Sequence, residues 1–269
     1  MRAVRGCGVT NNQPTSLGLR RINTGRGHRY ELDGRQVDGV TTLLKDGLPK
    51  PALVGWGIKS VAEYVADNLD AVYGMQPMGR NAIVQALKQA PYSQRDEAAN
   101  RGTQVHALAE KLIKDEAVEV PEPLRGHVES YARYLDEWQP EPVLVEVPVA
   151  HRKGWYAGTL DTVVRLPDGR VCLDDIKTTR SGVYGETALQ IAAYRFAEFY
   201  VGDDGLEHPM ADLNITDTRV VWVRADGFDV IPVKADDDAF LTFKYVATVA
   251  RAARGLKELV GTPIYQEAS

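Results

Sequence analysis

Asp161, Asp175 and Lys177 are the residues whose types and spacing carry the most chemistry in this chain. Asp161 closes the tetrapeptide Gly-Thr-Leu-Asp, and Asp175-Ile176-Lys177 follows after an apolar stretch. Between them, Leu166-Pro167-Asp168-Gly169-Arg170 suits a three-residue hairpin loop, a type I turn followed by a glycine in the left-handed region. That loop pairs Leu166 with Arg170, which sets Asp161 opposite Asp175 and Lys177 opposite Thr159. Side chains alternate along a strand, so Asp161, Asp175 and Lys177 share one face. A two-residue loop would send the two aspartates to opposite faces. Two facing carboxylates repel unless a cation lies between them or one is protonated. A hard divalent ion such as Mg²⁺ meets that need through carboxylate oxygens, a backbone carbonyl and water. A lysine beside it can orient or deprotonate an attacking water and steady developing negative charge.

Other residues fall into place around this trio. Glu146 lies between Val145 and Val147 on the preceding strand and points away from their face. A four-residue connection over His151–Gly154 sets Glu146 opposite Thr159, on the acidic face. Gln190 and Tyr194 are four apart and share a helix face, as do His106 and Glu110 in RGTQVHALAE. Asp174 and Asp175 are adjacent, so one of them must point inward if the strand is buried on one side. The plain alternative for all of these is the solvated face of an ordinary hairpin, with a structural histidine on a nearby helix.

The elements that must position these residues follow from periodicity. Residues 28–33 and 35–41 read as a hairpin turning at Asp33-Gly34. Helical patterns cover about 53–72, 79–90, 94–116 and 122–138, separated by Gly74, Pro77, Pro91 and the Pro-Glu-Pro at 121–123. From Pro142 the period becomes two, through three strands. A helix is expected over about 185–200, then a hairpin turning at Asp226-Gly227 and a final helix from Asp237 to Leu259. This is an α+β (α/β) pattern: a mixed, mostly antiparallel sheet flanked by helices, with a helical N-terminal region. Three divisions are expected: a loose basic arm over 1–25, a hairpin and helical region over 26–92, and a core over 93–269.

RGTQVHALAE, GTLD, DDIKTT and ALQIAAYR, in that order and spacing, resemble the PD-(D/E)XK nucleases, and within them the RecB-like exonuclease branch. A further likeness, VDGVTTLLKDGLPKPALVGW, is similar to a segment near the start of phage RecB-like and mitochondrial genome maintenance exonucleases. The resemblance implies a restriction-endonuclease-like core and a DNA exonuclease using one or two Mg²⁺ or Mn²⁺ ions in recombination, repair or replication. Under it, Asp161, Asp175, the Ile176 carbonyl and His106 bind metal, Lys177 serves the nucleophilic water, and Gln190 and Tyr194 order the site. Glu146 matches an acidic position of many members. Arg101, Arg180, Trp155 and Tyr156 are the expected DNA contacts, the last two by stacking on bases. Single strands or DNA ends are the expected substrate, and a strand-annealing or recombination protein is a partner class that fits. An endonuclease on the same core and a catalytically silent DNA-binding accessory module are the rivals.

Composition limits the remaining possibilities. The chain has 269 residues, 44% hydrophobic and 26% charged, enough for a sizeable core without disulfide staples. Two cysteines, Cys7 and Cys172, are too few for a four-thiolate iron–sulfur cluster or zinc site. No phosphate-binding GxxxxGK[ST] motif appears, so no nucleotide cofactor is expected. No apolar run approaches a membrane span and no leader opens the chain, which points to a cytoplasmic protein without membrane contact. The net charge is −5, yet residues 1–40 carry seven arginines against Glu31, Asp33 and Asp38. A basic arm on an acidic body is a candidate polyanion contact, with Arg20–Arg35 and Arg251, Arg254 and Lys257 lining a channel. Cys172, Trp56, Trp138 and Trp222 read as core.

Overall fold

The computed structural model describes residues 18–25 and 27–264; of the loose arm expected over 1–25, the part up to residue 17 lies outside the described residues, and 19–24 is not loose but a strand paired with 27–32. The chain opens with β1 (Leu19–Thr24), β2 (Gly27–Leu32) and β3 (Arg35–Gly39). Five helices follow: α1 (Val40–Gly47), α2 (Pro51–Asp67), α3 (Leu69–Gly74), α4 (Arg80–Ile113) and α5 (Arg125–Trp138). Then come β4 (Glu141–His151), β5 (Tyr156–Arg165), β6 (Val171–Lys177) and α6 (Glu186–Arg195). The chain closes with β7 (Phe199–Val201), β8 (Glu207–Pro209), β9 (Asp217–Arg224), β10 (Gly227–Pro232) and α7 (Asp237–Gly255).

All ten of these strands join one mixed sheet, giving the α+β class. One edge of β5 pairs with β4 along most of its length. Its other edge is shared. β3 runs parallel to it only at Tyr156 and Ala157, and β6 runs antiparallel only from Thr162 to Arg165. Residues 158–161 therefore lie in a notch between two neighbouring strands. Beyond Asp174, β6 leaves β5 and continues parallel to β9 as far as Lys177. The acidic residues stand at this notch, where backbone and side-chain groups are not used up by a ladder.

Helices cover both faces. Leu43 and Leu44 of α1, Ile191 of α6 and Phe243 of α7 pack with Val147, Val149, Leu160 and Leu173 on one side. Ala109 of α4, with Tyr131 and Tyr134 of α5, packs with Ile176, Val221 and Val223 on the other. Gly158 has a role in the first layer: a Cβ there would run into the Tyr194 ring. Asp38 ties β3 to α7, accepting from Arg251 Nε at 2.8 Å and Arg254 Nη1 at 2.5 Å. Both arginines are thereby engaged with β3, and Arg254 also lines the neighbouring cleft with Asp38 and Asp46.

Several expectations change. Pro91 does not end a helix; α4 runs through it and through the boundary expected at 92/93. An interior proline removes a hydrogen bond and costs roughly 3 kcal/mol, an amount that packing against α2 and α5 can offset. The helix expected to reach residue 200 stops at Arg195, because Phe199-Tyr200-Val201 are strand formers and pair with β4. α1 is an addition: it begins in the last two residues of the expected hairpin and fills the stretch up to 47 for which no element is expected, although Val40, Leu43 and Leu44 have helical spacing and are buried. Trp56 is 38% exposed and so is not core. Trp138 and Trp222 are half-buried against core clusters, and Cys172 is fully buried among Ile113, Val164 and Leu166.

Candidate metal centre

The hairpin register holds. Leu166 N–H donates to the Arg170 carbonyl at 2.9 Å, Gly169 adopts φ +90°, and Thr162 pairs with Asp174. The strands then part before Asp161 and Asp175 can pair. Asp161 Oδ2 instead accepts the Ile176 backbone N–H at 2.7 Å. Ile176 thus meets the site through its amide, while its side chain is core. This bond fixes the Asp161 carboxylate at the mouth of the notch.

Glu146 is placed differently from expectation. The turn between β4 and β5 is Arg152–Trp155, and His151 pairs with Tyr156, so Thr159 faces Pro148. Val145 pairs with Thr162 and Val147 with Leu160, which leaves Glu146 opposite Asp161. The simple alternation of faces also breaks here. Val145 packs in the cluster holding Ile113 and Val164, whereas Val147 packs in the cluster holding Leu160 and Ile191. The cause is Glu146 itself, whose φ of +54° lies in the left-handed region. A non-glycine residue there costs on the order of 1–3 kcal/mol, a strain that concentrates at functional sites. The turn was misjudged because Trp155 adopts φ +50°, a conformation that composition gives no reason to assign to tryptophan.

α4 delivers the third group. Gly102 lets the helix approach the strand end, since a Cβ there would sit 3.3 Å from Thr178 Oγ1. One turn later His106 Nδ1 lies 3.6 Å from Asp161 Oδ2. His106, Glu146 and Asp161 each offer a ligand atom, and these atoms all lie within 4.8 Å of one another. Glu110 stays on the same helix face, paired with Lys114 at 2.8 Å.

Asp175 stands beside this triad and is 2% exposed. Gln190 Nε2 donates to its Oδ1 at 2.9 Å and also reaches the Tyr194 hydroxyl at 3.3 Å. Lys177 Nζ lies 2.7 Å from its Oδ2, an ion pair made almost wholly out of solvent on the aspartate side. Lys177 Nζ also reaches Gln190 Oε1 at 3.4 Å.

Electrostatics records the crowding of acids. Burial, then the Asp161 charge, pushes the Glu146 carboxyl up to about 7. Burial is also the main force raising Asp175 to about 6, with Asp161 adding to it and Lys177 opposing it. Lys177 itself is raised: burial would lower it, but Asp175 and Asp161 outweigh that and keep it an ammonium. Burial, followed by the Asp175 charge, raises the Tyr194 phenol. The arrangement is a half-buried acidic pocket with an imidazole on one side and a captive ammonium on the other.

The expected DNA contacts divide. Tyr156 is 1% exposed and its hydroxyl donates to the Ala193 carbonyl at 2.9 Å, so it is a core residue and cannot stack on bases. Trp155 sits six residues from Asp161, about 20 Å along the strand, with Arg35 4.8 Å above its ring. Arg101 and Arg180 both stand near His127, whose pKa is lowered by burial and then by these two cations. Neither arginine enters an ion pair among the described residues. Sequence reasoning missed Tyr30, whose hydroxyl meets Thr159 Oγ1 at 2.9 Å at the notch; no local signal marks a contact between residues so far apart in the chain. No family model matches the chain, and no curated protein matches it.

Proposed function

We propose that this protein is a divalent-metal-dependent deoxyribonuclease with a PD-(D/E)XK-type core, acting as an exonuclease on DNA ends. One observation carries the reading: His106, Glu146 and Asp161 converge within 4.8 Å, next to a buried Asp175 held by Lys177. The donor set fits a hard cation with some nitrogen tolerance, Mg²⁺ or Mn²⁺, since carboxylates dominate and cysteine is absent from the cluster. Raised Glu146 and Asp175 carboxyls are what a site short of positive charge displays. His106, Glu146 and Asp161 would hold the ion, with Asp175 completing the set. A cation bound there supplies Lewis acidity toward a phosphodiester and a more acidic water.

The chain's own groups define the rest. Lys177 is kept charged by its two aspartates, so it serves as a donor that orients water and steadies negative charge on phosphate oxygens. The base role first open to it is disfavoured by that charge. Gln190 holds the Asp175 carboxylate and is itself steadied by the Tyr194 hydroxyl, and Arg101 and Arg180 supply phosphate contacts outside the pocket. The test is digestion of 5′- and 3′-labelled single- and double-stranded DNA, with and without Mg²⁺, Mn²⁺ and chelator. Chelator-sensitive release from linear ends with closed circles left intact is expected. Cleavage of closed circles would make it an endonuclease, and no cleavage in either metal would overturn the reading. Among the described residues no helix is long and apolar enough to cross a membrane.

A further inference from the structure

We propose that the cleft on the far side of Lys177, between the α1–α2 junction and the start of α6, is a phosphate-binding subsite with Lys50 as its main contact. That the phosphate belongs to a nucleic-acid strand rests on the nuclease reading above. The cleft has a volume of about 150 Å³ and is lined in part by Thr41, Lys50, Lys177, Tyr184, Glu186 and Thr187. A cavity of about that volume takes a benzene-sized molecule, so a phosphate fits.

The lining matches that cargo in charge. Two ammonium groups and several hydroxyls face the space, and Glu186 is its single carboxylate. Glu186 occupies Lys50, with Nζ 2.9 Å from Oε2 and 3.0 Å from Oε1. Both side chains are about one-third exposed, and a pair of that kind is worth only about 0–1 kcal/mol. A phosphate can therefore replace Glu186 as the partner of Lys50 at little cost. Lys177 belongs to both sites: it lines the cleft and touches Asp175 on the acidic side. A phosphate in the cleft thus stands next to the position of the reacting one, where it would set how far the strand enters. Tyr184 is 56% exposed at the rim, open to the neighbouring sugar or base.

Two measurements on the 269-residue chain test this. Thermal melts with added inorganic phosphate at constant ionic strength should show stabilisation of the wild type, loss of it in Lys50→Ala and its return in Lys50→Arg. In DNA digestion, Lys50→Ala should raise KM about tenfold with kcat within about twofold, the scale of one charge-assisted hydrogen bond. Its salt dependence of DNA binding should fall by about one phosphate contact. An effect of Lys50→Ala confined to 5′-phosphorylated substrates identifies a terminal phosphate; an equal effect on 5′-hydroxyl substrates identifies an internal diester. A wild type that digests DNA while Lys50→Ala keeps its KM and its phosphate response overturns the subsite alone. A phosphate response lost in Lys50→Ala, in a protein that cuts no DNA, keeps the subsite and overturns the nuclease reading.

Discussion

Two neighbouring aspartates on β6 are buried to almost the same extent, Asp174 at 1% and Asp175 at 2%, and they live in opposite electrostatic worlds. Asp174 receives Arg219 through Nε at 2.8 Å and Nη2 at 2.6 Å, and Tyr134 OH donates to it at 2.7 Å. The Arg219 guanidinium lies 5.0 Å above the Trp138 ring. That network pairs one charge with one charge inside α5 and the sheet, with both Asp174 oxygens satisfied, although Arg219 Nη1 has no hydrogen-bond partner among the described residues. Asp175 has one lysine, whose field it shares with Asp161, and Asp161 itself is an acidic neighbour that raises it. The first aspartate is matched for the folded chain; the second is left short of positive charge. The contrast separates structural from functional acids better than burial does, and it can be broken at either end.

The largest effect should come from the acidic end. Asp161→Asn should abolish both divalent-ion binding and nuclease activity while the fold persists, since the amide can still accept the Ile176 N–H. Calorimetric titration with Mn²⁺ giving wild-type affinity would remove Asp161 from the metal site. Next, Lys177→Ala should keep the metal and lower turnover by about 10²–10⁴-fold, the scale of a lost positioned donor. A variant that digests DNA at the wild-type rate would leave Lys177 outside the mechanism.

At the matched end the expected loss is in stability. Arg219→Ala leaves Asp174 charged and buried without its partner, which should cost about 3–5 kcal/mol. Metal affinity per folded molecule should not change. Urea unfolding that shifts by less than about 1 kcal/mol would show that the pair is not the closed unit its distances describe.

Much of the site was legible because it depends on local chemistry. Pro167-Asp168-Gly169 determines the β5–β6 register, and that register brings Asp161, Asp175 and Lys177 to one place. Gln190 and Tyr194 share a helix face, and the contact each makes follows from that. Glu146 was legible as a member of the acidic cluster, but neither its partner nor the alternation used to place it holds. Its position depends on two left-handed residues, itself and Trp155, which only tertiary packing can hold. The approach of α4 to the sheet was invisible to local pattern, because a helix separated by tens of residues docks through long-range contacts. Pro91 was misleading for the same reason: a local penalty of roughly 3 kcal/mol is small beside the packing of a long helix.

The smallest expected effect is the most direct measure of the contrast. In metal-free protein, Asp175 is raised to about 6 by burial and then by its acidic neighbour Asp161, against an unfolded value near 3.9. Between about pH 4 and 6 the folded state then binds a proton that the unfolded chain has released. Stability falls as pH rises wherever the folded state holds more protons, so the metal-free protein should lose stability through that window. Glu146, raised to about 7, extends the decline toward neutrality. Asp175→Asn removes the first part. It should be more stable than wild type at pH 7.5 by about 1–3 kcal/mol and nearly equal to it at pH 4. Added Mn²⁺ should reverse the order, because only the wild type gains from the ion. Thermal melts of both proteins in chelator across pH 4–7.5 check this; parallel curves would mean that Asp175 is as well matched as Asp174.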